Sequence, residues 1–351
     1  MHVLIVKTSS LGDVIHTLPA LSDARRAIPE IKFDWVIEED FTEIPAWHTT
    51  INKVIPVAFR RWKKNIFKMI LNQEYKNFKE NLKDTKYDLI IDAQGLFKSG
   101  FVCSLAKGKV VGFDKNSSKE KIATRFYDEC YSIPKNQHAV ERVRILFAQA
   151  LGYNIEEQKV DYGLPSSKFA SYTEAPNKSL YFLHGTTWET KLWPEKYWIE
   201  LGKIAISNGY TIKLLWGNEG EQQRAKRIVE AIPNAMIMSQ LTLTEIAMQL
   251  LQTDIVIAVD TGLAHLAAAL DRPTIALYSS SDAYKTGTYG KNQNHLRASL
   301  SCSPCLNKKC YYQGEDLSES EKQKIFTVNP PCFSTVTPHD VWQKISELEQ
   351  P

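Results

Sequence analysis

His2-Val3-Leu4-Ile5-Val6-Lys7, followed by Thr8-Ser9-Ser10-Leu11-Gly12-Asp13 and then by Val14–Ala27, is the stretch that decides the fold. The first six residues are an aliphatic, partly β-branched run of strand length. Val14–Ala27 places its apolar residues at helical spacing, and Gly12 lets the backbone turn tightly between the two. A strand, a short loop and an amphipathic helix make the first half of a βαβ unit. Outward from it, Phe33–Ile37 reads as a second strand, Val54–Val57 as a short third and Asp88–Ile91 as a buried strand. His138–Leu151 reads as a helix that closes this half. Such alternation implies a parallel sheet covered by helices on both faces.

A polar stretch from Gly163 to Lys178 reads as a linker, and the alternation then restarts. Leu180–Leu183, Thr211–Leu215, Ala235–Met238, Asp254–Val259 and Thr274–Leu277 are strand candidates. Pro194–Ser207, Glu219–Ile232, Thr242–Leu251 and Leu263–Leu270 are helix candidates between them. After Ser279 the pattern fails until about Pro338, and Val341–Leu348 looks helical. The expected architecture is α/β: two doubly wound, Rossmann-like domains facing a cleft. The expected boundaries are 1–165 and 178–335, with a C-terminal helix in 338–351 packing back on the first domain. Ligands in such sheets sit beyond the carboxyl ends of the strands, so the cleft is the expected active site.

The 351 residues suffice for two domains with real cores. With 43% hydrophobic, 24% charged and 11% aromatic residues the chain has the profile of a globular enzyme, not of a disordered segment. A net charge of +3 argues against a nucleic-acid coat and leaves room for a local basic patch. The longest apolar runs, such as Asp254–Val259, fall far short of the about 20 residues of a membrane span. The strand-like start is not a basic segment followed by an apolar one, so no signal peptide is expected.

Three loops carry the chemistry. In the first, Asp13 falls at a helix start at the carboxyl edge of the sheet. It reads either as a capping aspartate or as a general base aimed into the cleft. The second, His184-Gly185-Thr186-Thr187-Trp188-Glu189-Thr190-Lys191, follows a strand and precedes a helix with Pro194 at its start. Hydroxyls, backbone N–H groups and one lysine suit a phosphate, although such residues also make ordinary surface loops. The third, Asp260-Thr261-Gly262-Leu263-Ala264-His265, again follows an apolar strand and opens a helix whose N-terminus attracts anions. His265 either donates to a phosphate or packs. Two anion-suited loops in one domain suggest a diphosphate lying across it. Glu221, just after Trp216-Gly217, is either a ribose partner or a solvated helix-start glutamate.

Arg60-Arg61-Trp62-Lys63-Lys64 reads as a solvated helix face or as a docking site for an anionic acceptor or lipid surface, with Trp62 as an interfacial anchor. No Asp-x-Asp pair occurs, so a divalent metal clamp of that kind on the diphosphate is not expected, and Lys191 and the helix N-termini take its place. Of six cysteines, Cys103 and Cys130 stand apart and read as reduced thiols. Cys302, Cys305, Cys310 and Cys332 cluster near the C-terminus; either they hold a structural zinc or iron, or they stay reduced.

The opening Val3–Leu21, with Ser9, Ser10, Gly12 and Asp13, resembles the lipopolysaccharide heptosyltransferase I family of glycosyltransferase family 9. So do Phe33–Val36, Ile44–His48, Arg60–Trp62, Ile91–Gly95 and Gln137–Arg142. In the second half Thr186-Thr187, Lys191 with Trp193-Pro194, Trp216-Gly217, Glu221 with Arg224–Arg227, and Val259–His265 are similar to the same family. The resemblance runs from residue 1 to about residue 297.

The resemblance implies a B-type glycosyltransferase fold and an inverting, metal-independent transfer of heptose from ADP-heptose to the first Kdo of Kdo2-lipid A. It makes Asp13 the base. Thr186, Thr187, Lys191, Glu221, Leu241, Asp260, Thr261, Gly262 and His265 match the donor site. Ser9, Ser10, Gly12, Arg60, Arg61, Lys64 and Lys119 match the acceptor side. Lys119 stands where the family shows arginine, which keeps the charge and loses the two-pronged fork. The four-cysteine tail departs from the type I pattern and is closer to that of type II relatives. A cytoplasmic protein of Gram-negative bacteria, peripheral on the anionic inner membrane and not bound to nucleic acid, is implied. The rival readings are a type II enzyme, another nucleotide-sugar transferase of the same fold, or a non-catalytic glycolipid-binding protein, which would release no ADP.

Overall fold

A computed structural model describes residues 1–63, 73–155, 160–169 and 178–349. The chain divides into two compact units, Met1–Lys168 and Phe169–Pro351. The first holds strands β1 (His2–Val6), β2 (Lys32–Glu38), β3 (Ile51–Val57), β4 (Lys86–Asp92), β5 (Lys107–Phe113) and β6 (Glu129–Tyr131) in one sheet of order β3-β2-β1-β4-β5-β6. The second holds β7 (Ser179–Leu183), β8 (Thr211–Leu214), β9 (Met236–Ile237), β10 (Ile255–Val259), β11 (Thr274–Tyr278) and β12 (Gln293–Arg297) in the order β12-β11-β10-β7-β8-β9. Every pairing is parallel.

Each unit is therefore doubly wound, with a topological switch point between its first strand and a central neighbour: β1 beside β4 and β7 beside β10. The central strands read as continuous apolar runs because helices cover both faces; all five residues of β7 and of β10 are buried. Lys107–Phe113, Glu129–Tyr131 and Gln293–Arg297 escaped the hydropathy reading. The first is interrupted by glycine and lysine, and the other two are short or polar edge strands.

The single helix expected over Val14–Ala27 is two, Leu11–Ile15 and Leu18–Ala27. Pro19 is the cause: it has no N–H to continue the ladder, and it sits in the first turn of the second helix, where that loss costs nothing. The last helix, Pro338–Glu349, buries Val341 and Ile345 in the core of the second unit beside Trp193, Trp198 and Leu201. Among the described residues no helix is long and apolar enough to cross a membrane.

Candidate functional site

In the first unit the loop after β1 and the loop after β4 meet at the switch point. Gln94 clasps them: its Oε1 accepts from the N–H groups of Thr8 and Ser9 at 2.9 and 3.3 Å, and its Nε2 donates to the Ser9 carbonyl at 2.6 Å. Gln94 is itself set by Asp92, whose Oδ1 accepts from the Gln94 and Gly95 N–H groups at 2.8 and 3.0 Å.

On this frame Asp13 occupies the third position of the helix Leu11–Ile15 and closes a capping box on Ser10. Its Oδ2 accepts from the Ser10 N–H at 3.1 Å and from the Ser10 hydroxyl at 3.0 Å. Its Oδ1 faces two cations, Lys119 Nζ at 3.1 Å and Lys7 Nζ at 3.4 Å. The two readings of Asp13 thus use different oxygens. Burial works against its charge, but Lys7 first and Lys119 next outweigh it and hold the carboxyl well below the usual carboxylate range. The side chain remains 27% exposed, so a ligand can reach it. Lys7 is buried, donates to the Ala93 carbonyl at 2.9 Å, and is pushed below the usual lysine range by desolvation.

The structure brings Ser9, Ser10, Gly12, Asp13 and Lys119 to one strand-end region. Arg60 and Arg61 lie on the short helix Phe59–Trp62 after the edge strand β3, already paired. Arg60 meets Asp40 at 3.0 Å and stacks over Phe41; Arg61 meets Glu39 at 2.8 Å and Glu74 at 2.6 Å. All these groups are exposed, so the pairs are weak and exchangeable. Lys98 sits within electrostatic reach of both Arg60 and Lys119, linking the two basic positions. Lys64 lies outside the described residues. Trp62 is not the interfacial anchor its neighbours suggested: it is 5% exposed and packs against Phe59, Tyr75 and Phe78.

In the second unit the loops after β7 and β10 are likewise neighbours at the switch point. The Thr186 hydroxyl donates to the Asp260 carbonyl at 3.1 Å. Lys191 meets Asp260 Oδ2 at 2.7 Å and stands 4.3 Å over the Trp188 ring. His265 Nε2 is 3.8 Å from Asp260 Oδ1, and the Ser281 hydroxyl donates to Oδ2. Asp260 is buried, which opposes its charge; His265 and Lys191 nevertheless hold its carboxyl well below the usual range. Asp260 is therefore the hub that orients Lys191 and His265. Thr261 begins the helix Gly262–Ala269, with no side-chain bond to its own cap. The N-terminal N–H groups of such a helix suit an anion. Thr187 is exposed on the same loop as Thr186.

Glu221 accepts from the Gly217 N–H at 2.7 Å and lies against Gly185; a Cβ on Gly185 would stand 2.5 Å from the Glu221 Cδ. That contact joins Glu221 to the phosphate-suited loop. Leu241 is half-buried just before the cap Thr242 of the helix Leu243–Leu251. A cavity of about 510 Å³ under the second loop is lined by Glu189, Thr190, Trp193, Glu195 and Arg224, and holds none of the nine donor candidates. Sequence reasoning missed Lys7, Gln94, Lys98 and Ser281. Gln94 stood within the quoted Ile91–Gly95 motif, and Lys7 at the end of the decisive strand. Among the described residues no group of three or more His, Cys, Asp or Glu side chains is arranged to hold a metal ion.

Comparison with known proteins gives the family. The model of glycosyltransferase family 9 (heptosyltransferase) matches residues 75–315. Lipopolysaccharide heptosyltransferase 1 of Pseudomonas aeruginosa is 48% identical over 99% of this chain and 98% of its own. The protein of the same name from Escherichia coli K12 is 47% identical over 85% of this chain and 94% of its own. The solved structure of the E. coli heptosyltransferase WaaC with ADP superposes with a TM-score of 0.86 at 42% identity, covering 99% of this chain and 100% of that one. With a family model across more than half its length and relatives this similar over nearly all of it, the chain belongs to glycosyltransferase family 9, the heptosyltransferases.

Proposed function

We propose that this chain transfers L-glycero-D-manno-heptose from ADP-heptose to the first Kdo of Kdo2-lipid A, in one inverting step with no metal at the reaction centre. The observation that carries the reading is the division of Asp13: one oxygen is bound by the helix cap and the other faces Lys7 and Lys119. The relatives are named as lipopolysaccharide heptosyltransferases, and one was solved with ADP-2-deoxy-2-fluoro heptose.

In this reading the diphosphate lies on the second unit, held by Lys191, the hydroxyls of Thr186 and Thr187 and the N–H groups opening the helix at Gly262. Glu221 takes ribose hydroxyls, and His265 donates to a phosphate oxygen. Leu241 offers an apolar surface to the nucleoside. A Kdo hydroxyl attacks the anomeric carbon, a C–O bond forms, and Asp13 receives the proton as the bond to the ADP oxygen breaks. One carboxylate is enough, because a single displacement needs one base and inverts configuration. A positioned base contributes on the order of 10²–10⁴ in rate, and electrostatic stabilisation of the leaving diphosphate as much or more.

A carboxylate kept so acidic is always ready to accept but binds a proton weakly. Its contribution grows if the anionic acceptor draws Lys119 away, as an acceptor bearing carboxylate and phosphate would. Ser9, Ser10, Gly12, Arg60, Arg61, Lys64 and Lys119 make up the acceptor side, and the exposed cations among them also favour an anionic membrane surface. The test is product analysis: one heptose added to Kdo2-lipid A, α-linked from the β-configured donor. A β-linked product would overturn the inverting step, and no product with release of free heptose would overturn the acceptor.

A further inference from the structure

The irregular segment after β12 poses a physical problem. Between Ala298 and Thr335 the regular structure is the helix Glu319–Ile325, which buries none of its residues, and the turn Pro331–Thr335. A loop of that length without its own core is uncommon in a compact domain unless something ties it together. Yet it makes specific contacts with the donor loop. The Thr190 hydroxyl donates to the Asn307 carbonyl at 2.6 Å, and the Leu306 N–H to the Ser280 carbonyl at 2.7 Å. Thr190 adjoins Lys191, and Ser280 adjoins Ser281.

Four cysteines are what this segment brings together. Cys302, Cys305, Cys310 and Cys332, spread over three turns of chain, all line one cavity of about 100 Å³. All four are free thiols. The other two cysteines, buried Cys103 and exposed Cys130, do not line that cavity.

We propose that Cys302, Cys305, Cys310 and Cys332 bind one thiophilic divalent ion, zinc or ferrous iron, as a structural crosslink that braces the donor loop through Leu306–Lys308. Four sulfurs suit the tetrahedral preference of such ions, and four protein ligands leave no open position for catalysis. The side chains share the cavity without yet forming a coordinating set, so binding draws them inward. Each thiol that ligates loses its proton to solvent, giving a tetrathiolate complex of charge −2 and up to four released protons. The bracing clause rests on the donor assignment of Lys191; the metal site does not.

The experiment uses the full chain purified without a polyhistidine tag. Elemental analysis is expected to give about one zinc or iron per chain, following four-ligand stoichiometry. A thiol reagent on the native protein is expected to spare the four clustered cysteines and to reach them after chelation. Adding Zn²⁺ to the chelated protein is expected to restore protection and raise Tm. Cys305→Ser is expected to lose the metal and lower Tm more than kcat, with a rise in donor KM. Four freely reactive thiols in protein purified under nitrogen, with neither protection nor Tm changed by Zn²⁺, would overturn the site, as would a disulfide among them. These readouts need no turnover, so they stand apart from the fate of the heptose assignment. Because thiol protection is read on the unmutated chain, a variant that fails to fold leaves the test intact.

Discussion

Lys119 Nζ lies 3.1 Å from Asp13 Oδ1, the same oxygen that Lys7 approaches at 3.4 Å. Two cations on one oxygen hold the carboxyl well below its usual range. Removing one must raise it. Lys119→Gln is therefore expected to move the acid limb of the kcat/KM profile to higher pH and to raise acceptor KM. Donor KM is expected to stay within about twofold, a few tenths of a kcal/mol. An unmoved acid limb would detach Lys119 from the base.

Gly185→Ala tests the link between Glu221 and the donor loop. The added methyl would meet the Glu221 carboxyl at 2.5 Å, so Glu221 must turn away or the loop must shift. Titration calorimetry is expected to show ADP binding weakened by about tenfold or more, equivalent to about 1.4 kcal/mol. Unchanged ADP affinity would remove Glu221 from the nucleotide site.

Lys191 is charged with two tasks, and a double-mutant comparison separates them. Lys191→Ala leaves Asp260 buried with His265 and Ser281 as its partners among the described residues, and is expected to cost on the order of 2 kcal/mol, less than a fully orphaned buried charge. It is also expected to lower kcat by at least about 10². Adding Asp260→Asn is expected to recover stability and not turnover. Recovery of turnover as well would make Lys191 a structural partner of Asp260 and nothing more.

Two buried histidines set an acid limit on stability. His48 accepts the Thr50 N–H at Nδ1, which leaves Nε2–H to donate to the Ser22 hydroxyl; burial lowers its pKa from 6.5 to about 4. His184, fully buried at the end of β7, is also lowered to about 4, by burial first and the Arg224 charge second. For a base whose folded pKa is depressed, the unfolded chain binds protons first. Stability is then full above about pH 6.5 and declines as pH falls toward 4, by up to about 3 kcal/mol for each group. Urea melts at pH 7 and pH 4.5 are expected to show the decline, with part of it gone in His48→Gln. Identical pH dependence in that variant would place the acid limit elsewhere.

The fold was legible wherever burial wrote it into the sequence. β1, β4, β7, β10 and β11 are apolar because helices cover both their faces, and the loops after them follow from that. Edge strands such as Gln293–Arg297 carry no such mark, because one side meets solvent. Local motifs pointed to Asp13, Lys191 and Asp260, but not to how they are held. Gln94 reaches Thr8 and Ser9 across 86 and 85 positions of chain, and Ser281 reaches Asp260 across 21. Such pairings are set by strand order, which periodicity does not reveal. The run at Arg60 showed only its own charge: the acidic residues that answer it, Glu39, Asp40 and Glu74, lie on other elements.

The central claim is that Asp13 is the base of a heptosyl transfer and not merely a helix cap. The most direct measurement is ADP release from ADP-heptose, with and without Kdo2-lipid A, by the unmutated chain and by Asp13→Ala, in excess EDTA without added Mg²⁺ or Mn²⁺. The account predicts acceptor-dependent release by the unmutated chain. It predicts a kcat lower by at least about 10² for the variant, with a loss of unfolding free energy no greater than the roughly 1 kcal/mol of a lost cap. Near-normal turnover in a strongly destabilised Asp13→Ala, or turnover that requires added Mg²⁺ or Mn²⁺, would contradict it.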